Sequence, residues 1–134
     1  MGAISTTPIS AIFVGDKSLS QRPMDRIVKP LSKMRLKVRS TNGKLPLRID
    51  KSELIGNNYQ SLISSAQVKS SFIFCSLGAS SKSSYSEPIK SRDHTEIMLR
   101  SVGIDIKSEG NEIFINKMDK LPHSLNIAVP GDPS

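Results

Sequence analysis

The pattern that most constrains this chain is a repeat with a period of about 70 residues. Arg22 in "SQRPMDRI" lies that far ahead of Arg92 in "SRDHTEIM", and Ser65 a similar distance ahead of Ser134. Each Arg precedes a stretch of helical period. The first stretch carries Ile27, Val28, Leu31 and Met34 on one face, with Pro23 suited to a first turn; the second carries Ile97, Met98 and Val102. Two short alternating segments follow each stretch, "RLKVRSTNGKLPLRI" around Asn42-Gly43 and "GIDIKSEGNEIFI" around Gly110-Asn111, and both read as β-hairpins.

Ahead of each Arg lies a further strand candidate, Ile9 to Asp16 and Ser83 to Ile89, although the serine-rich "SSKSSYS" also reads as a loop. Before the second of these comes "NNYQSLI", a strand pattern, and then "SSAQVKSSFIFCSLGA". The latter is apolar on nearly all sides from Val68 to Leu77, which suits a helix buried between other elements. The order within one unit is therefore strand, helix, strand, helix, strand, strand.

Composition narrows the function classes. With 37% hydrophobic and 23% charged residues the chain is of globular type, and no apolar run approaches the roughly 20 residues that span a bilayer. The N-terminus lacks a basic segment followed by a long apolar run, so no secretory signal is expected. One cysteine permits no internal disulfide, which fits a reducing compartment. The net charge of +7 suggests anionic partners. Nucleic acid is disfavoured, because the cations are scattered and aromatic residues, at 4%, supply no base-stacking platform. A small phosphorylated or carboxylated ligand needs only a few placed cations.

Asp93 followed by Glu96 reads as a capping box that opens a helix near Asp93. The amino end of a helix carries roughly half a positive charge, so a cation there is disfavoured. Arg92 nevertheless stands at that end. An anion lying between the guanidinium and the helix terminus would account for it.

Taken together, "SQRPMDRIVKPLSKM", "SSAQVKSSF", "SRDHTEIMLRSVGIDI" and the terminal "VPGDPS" resemble, in order and spacing, successive signatures of the 3-phosphoshikimate 1-carboxyvinyltransferase (EPSP synthase) family. The resemblance implies an α/β (α+β) fold of repeated βαβαββ units, with helices packed inside and sheets outside. It also implies that the chain is an internal fragment of a longer two-lobe protein. Residues 1–50 would be the end of one unit, 51–118 one full unit and 119–134 the start of the next. The implied reaction moves the enolpyruvyl group of phosphoenolpyruvate to the 5-hydroxyl of shikimate 3-phosphate and releases phosphate. No metal and no cofactor are implied. The implied setting is a cytoplasmic monomer with no membrane or nucleic-acid partner.

By this resemblance Arg22 and Gln67 would bind phosphoenolpyruvate, while Ser65, Gln67, Ser91 and Arg92 would bind shikimate 3-phosphate. Ser134 matches a further helix start, so that regular spacing would gather these helix ends at one edge of the lobe. Plainer roles stand beside each: a surface cation for Arg22 and Arg92, a helix cap for Ser65. His94 is expected to be structural. Asp93 and Glu96 are expected to be caps and not a catalytic pair, and the groups for proton transfer would lie outside the chain.

Cys75 lies in the most apolar helix and reads as an inert buried thiol. The sister family of UDP-N-acetylglucosamine enolpyruvyl transferases often has a reactive cysteine shortly before its Arg-Pro motif, where this chain has "GDKSLSQRP". Arg35 stands where the family usually has a glycine, which implies a different turn or about 1 kcal/mol of strain. Two further readings are open at this point, a substrate-binding or complementation module that needs a partner chain and a basic nucleic-acid-binding protein.

Overall fold

The computed structural model describes residues 1–128 and 131. Its centre is the helix spanning Ala66–Leu77, here α4 because three helices precede it. Ser65 caps it, accepting a hydrogen bond from the Val68 amide at 3.4 Å. Val68, Phe72, Ile73, Cys75 and Leu77 are all buried. The helix is apolar around its girth because it packs against α1 (Gly2–Ser5) and α3 (Asp25–Lys33) as well as against strands β5 (Ser83–Ser86) and β7 (Glu112–Ile115). Gly2 permits the α1 contact. A Cβ there would meet the Ser71 carbonyl oxygen at 2.1 Å.

Two sheets flank this layer. The first runs β1-β3-β2, from Ala11–Phe13, Lys44–Asp50 and Lys37–Thr41, all antiparallel. The second runs β4-β5-β7-β6, from Asn58–Gln60, Ser83–Ser86, Glu112–Ile115 and Ile106–Glu109. Here β4 and β5 are parallel, joined over α4, and the other pairings are antiparallel. The second half of the chain is thus β4-α4-β5-α5-β6-β7, with α5 at His94–Ser101. The three strands β1-β3-β2 repeat the order of β5-β7-β6. Alternation places Leu47, Ile49, Ile113 and Ile115 in the core and Arg48 and Phe114 outside.

Both hairpin turns form as the sequence predicts. Asn42 and Gly43 both take positive φ, 53° and 66°, as a type I′ turn requires, and Gly110 takes 58°. The serine-rich segment is strand, not loop: Ser83 and Ser84 are buried, and Tyr85 stacks at 6.0 Å on Tyr59 and lies 5.4 Å from Phe72.

The structure corrects three local expectations and decides between the two alternatives for Arg35. The first helix begins at Asp25, so Pro23 stands outside it, and a short helix α2 (Lys17–Ser20) precedes Arg22. Asp16 starts α2 by accepting the Leu19 amide at 2.7 Å. In α5 the inner face is Glu96 and Leu99, both buried, whereas Ile97 and Met98 are exposed. The Asp93/Glu96 capping box is absent: Asp93 makes no side-chain cap and pairs with Lys90 at 3.0 Å, while Glu96 turns inward. Arg35 forms no different turn. It takes the left-handed conformation at φ 65° and ends α3 in a Schellman motif, with Arg35 N–H donating to Ser32 O at 3.0 Å and Leu36 N–H to Leu31 O at 3.2 Å.

Candidate functional site

The amino end of α4 and the segment leading into α5 lie side by side. Ser64, Ser65, Ala66, Gln67, Ser91 and Arg92 line a cleft of about 500 Å³. A smaller depression of about 270 Å³ adjoins it, sharing Ala66, Gln67 and Arg92 and adding His94. Four residues singled out from sequence, Ser65, Gln67, Ser91 and Arg92, thus face one space. Gln67 and Arg92 are exposed, and among the described residues Arg92 makes no ion pair. Its guanidinium is available to an anion.

The hydroxyls of the two serines differ in what they have left to give. Ser65 accepts from the Val68 amide, which leaves its proton free for a ligand, so cap and ligand roles are compatible. Ser91 is already a donor twice over: its amide donates to Glu87 Oε1 at 2.7 Å and its hydroxyl donates to the same oxygen at 2.9 Å. Beneath it lies Lys69, fully buried, whose Nζ meets Glu87 Oε1 at 3.2 Å, Glu96 Oε1 at 2.9 Å and the Ser91 carbonyl at 3.2 Å. This network was missed by sequence reasoning. Its one signal was a lysine inside the most apolar helix, and its acidic partners are 18 and 27 residues away along the chain.

Other expected residues fall elsewhere. Arg22 is exposed in the turn after α2, its amide donating to Leu19 O at 3.1 Å, and it does not line the cleft of Ser65 and Arg92. Ser134 lies outside the described residues. His94 is the first residue of α5 and borders the smaller depression. Cys75 is buried, and burial pushes its thiol above the ordinary range, which makes it a poor nucleophile. The Lys90 ammonium holds the Asp93 carboxyl below its usual value, so Asp93 stays a carboxylate. A larger cavity of about 570 Å³, walled by Lys82, Asp105, Lys117 and Asp119 among others, holds none of the candidate residues.

The family model for EPSP synthase (3-phosphoshikimate 1-carboxyvinyltransferase) matches residues 1–134. The chain belongs to the EPSP synthase family. It is 42% identical over 134 residues to the 3-phosphoshikimate 1-carboxyvinyltransferase of Endomicrobium trichonymphae, covering 99% of this chain and 31% of that protein. The enzyme of Sulfurimonas denitrificans is 44% identical over 135 residues, with 99% and 32% covered. The EPSP synthase structure from Acinetobacter baumannii superimposes with a TM-score of 0.87 at 41% identity, over 91% of this chain and 28% of that one. The chain therefore spans about a third of the length of these EPSP synthase relatives. Among the described residues, no helix is long and apolar enough to cross a membrane.

Proposed function

We propose that this chain supplies part of the substrate cleft of a 3-phosphoshikimate 1-carboxyvinyltransferase, which moves the enolpyruvyl group of phosphoenolpyruvate to the 5-hydroxyl of shikimate 3-phosphate. The observation that carries this reading is the convergence of Ser65, Gln67, Ser91 and Arg92 on one cleft beside the amino end of α4. Both substrates are anions. A phosphate placed there would meet the Arg92 guanidinium, the free Ser65 proton and the positive end of the α4 dipole together. In this reading Gln67, exposed on the first turn, contacts both substrates.

Arg22 belongs to the preceding unit, and in this reading its guanidinium holds the carboxylate or phosphate of phosphoenolpyruvate. The "QRP" motif supports that role. Residues 1–50, 51–118 and 119–134 are then parts of three successive units of one lobe in a monomeric cytoplasmic enzyme. This segment binds and orients. Proton transfer falls to groups in the remainder of the enzyme.

The test compares two proteins. Residues 1–134 expressed alone should form no carboxyvinyl product from phosphoenolpyruvate and shikimate 3-phosphate, while a full-length enzyme carrying this segment should turn over. Product from the short chain above a no-protein control, or none from the long one, would contradict the reading.

A further inference from the structure

Three charged side chains are buried directly under the cleft. Lys69, Glu87 and Glu96 are 0%, 5% and 1% exposed, which is the burial of core leucines. Two carboxylates share one ammonium, and Glu87 Oε2 and Glu96 Oε2 have no hydrogen-bond partner among the described residues. Such a cluster is a poor stabilising device, because removing ions from water offsets most of their mutual attraction. What it does supply is direction. Every partner of Glu87 Oε1 belongs either to Lys69 or to Ser91, and Lys69 also holds the Ser91 carbonyl.

Two further bonds fix the same segment. The Ile89 amide donates to Ser64 Oγ at 3.0 Å, and the Ser70 and Thr95 hydroxyls meet at 2.7 Å. The chain from Glu87 to Thr95 is thereby tied to the loop before α4 and to α4 itself. Arg92 sits between the ties.

We propose that Lys69, Glu87 and Glu96 form a buried clamp that positions the Arg92 backbone against the amino end of α4, and that Ser91 is the part of the cleft the clamp grips. Lys69, Glu87 and Glu96 are positioning residues and touch no substrate. Ser91 acts through Glu87, since both of its donors are committed there, and the shikimate phosphate is held by Arg92 and Ser65. This rests on the assignment of the cleft to shikimate 3-phosphate.

The experiment uses the full-length enzyme carrying this segment, with Michaelis constants for both substrates. Glu87→Ala should raise the shikimate 3-phosphate constant about ten-fold, as expected when a binding group is displaced by a fraction of an ångström, and leave the phosphoenolpyruvate constant within about two-fold. Glu87→Gln keeps the shape and one acceptor oxygen, so it should restore most of the loss; if Glu87→Ala does not fold, a rise of about three-fold in Glu87→Gln, confined to shikimate 3-phosphate, carries the test. Ser91→Ala should add little in the Glu87→Ala or Glu87→Gln background, because the two act through one contact. An active wild type whose Glu87 variants change only melting temperature, or raise both constants equally, overturns the clamp alone. Full additivity of Ser91→Ala makes Ser91 a direct ligand and also overturns it. An inactive wild type overturns the clamp and the functional reading together.

Discussion

The two repeat units end their second helices in the same way and fill them differently. In both, the chain leaves the helix through a Schellman motif: Arg35 and Leu36 close on Ser32 and Leu31, and Gly103 and Ile104 close on Arg100 and Leu99, the latter pair at 3.0 Å each. In both, a buried leucine packs at the matching position, Leu31 and Leu99. Between those fixed points the inner faces diverge. Helix α3 buries Pro30, Leu31 and the capping Met34 against α4, whereas α5 buries Glu96 to meet Lys69. The unit with the apolar face holds Arg22 in an exposed turn, and the unit with the charged face holds Arg92 in a clamped one. The same backbone pattern therefore serves either as packing alone or as packing that also aims a side chain.

The largest effect should come from breaking each inner face in turn. Lys69→Met leaves two buried carboxylates uncompensated and should destabilise a full-length enzyme by about 3–5 kcal/mol in urea unfolding. Leu31→Ala, which opens the apolar inner face of α3 in the other unit, should cost about 2–5 kcal/mol through the cavity left. Only the charged loss can be relieved by further substitution. The triple variant Lys69→Met, Glu87→Gln, Glu96→Gln should regain much of the stability without regaining shikimate 3-phosphate affinity, and a triple variant no more stable than Lys69→Met would remove the electrostatic half of the comparison.

The two arginines come next in size. Arg92→Ala should weaken shikimate 3-phosphate binding by about 1.5–3 kcal/mol, the range for a hydrogen bond to a charged group, and Arg92→Lys should restore only part, because it returns the charge without the planar fork. Arg22→Ala should act mainly on phosphoenolpyruvate. Michaelis constants for both substrates in all three variants decide the matter: if Arg92→Ala leaves the shikimate 3-phosphate constant unchanged, Arg92 is a solvated charge and the two units do not differ in role.

The smallest effects sharpen the shared feature. Arg35 holds φ 65° with a side chain, and Gly103 holds φ 85° without one. Arg35→Gly should be stabilising or neutral, shifting stability by no more than about 1 kcal/mol, as left-handed strain is relieved against a loss of unfolded-state rigidity. Gly103→Ala should cost more than about 1 kcal/mol, since its Cβ would add a 2.8 Å approach to His123 to the same backbone strain. A loss in thermal unfolding for Gly103→Ala and none for Arg35→Gly confirms one motif filled in two ways.

Much of this was legible in the residues. The hairpins were, because Asn42-Gly43 and Gly110-Asn111 carry turn chemistry that acts within four residues. So was α4, because a helix apolar on all sides has nowhere to go but the interior. The capping box failed for a definite reason. Asp93 and Glu96 have the right local spacing, but Lys69 sits opposite them in the fold and draws Glu96 inward, while Lys90 takes Asp93. With Glu96 facing in, Ile97 and Met98 necessarily face out. For the cleft, the residue types of Ser65, Gln67 and Arg92 were readable, but the commitment of Ser91 to Glu87 was not.

By itself the sequence determined the unit order, the two hairpins, the buried central helix and the family, since each depends on period, on neighbours within a few residues, or on short motifs. Only the tertiary structure decided that Arg92 faces the α4 terminus while Arg22 does not line that cleft, and that three charges lie buried beneath Ser91. The physical reason is range. Backbone torsion and hydrophobic period act along the chain, whereas a buried charge finds its partner across space, and nothing local in "QVKSS" states that the ammonium of Lys69 will be matched by carboxylates at positions 87 and 96.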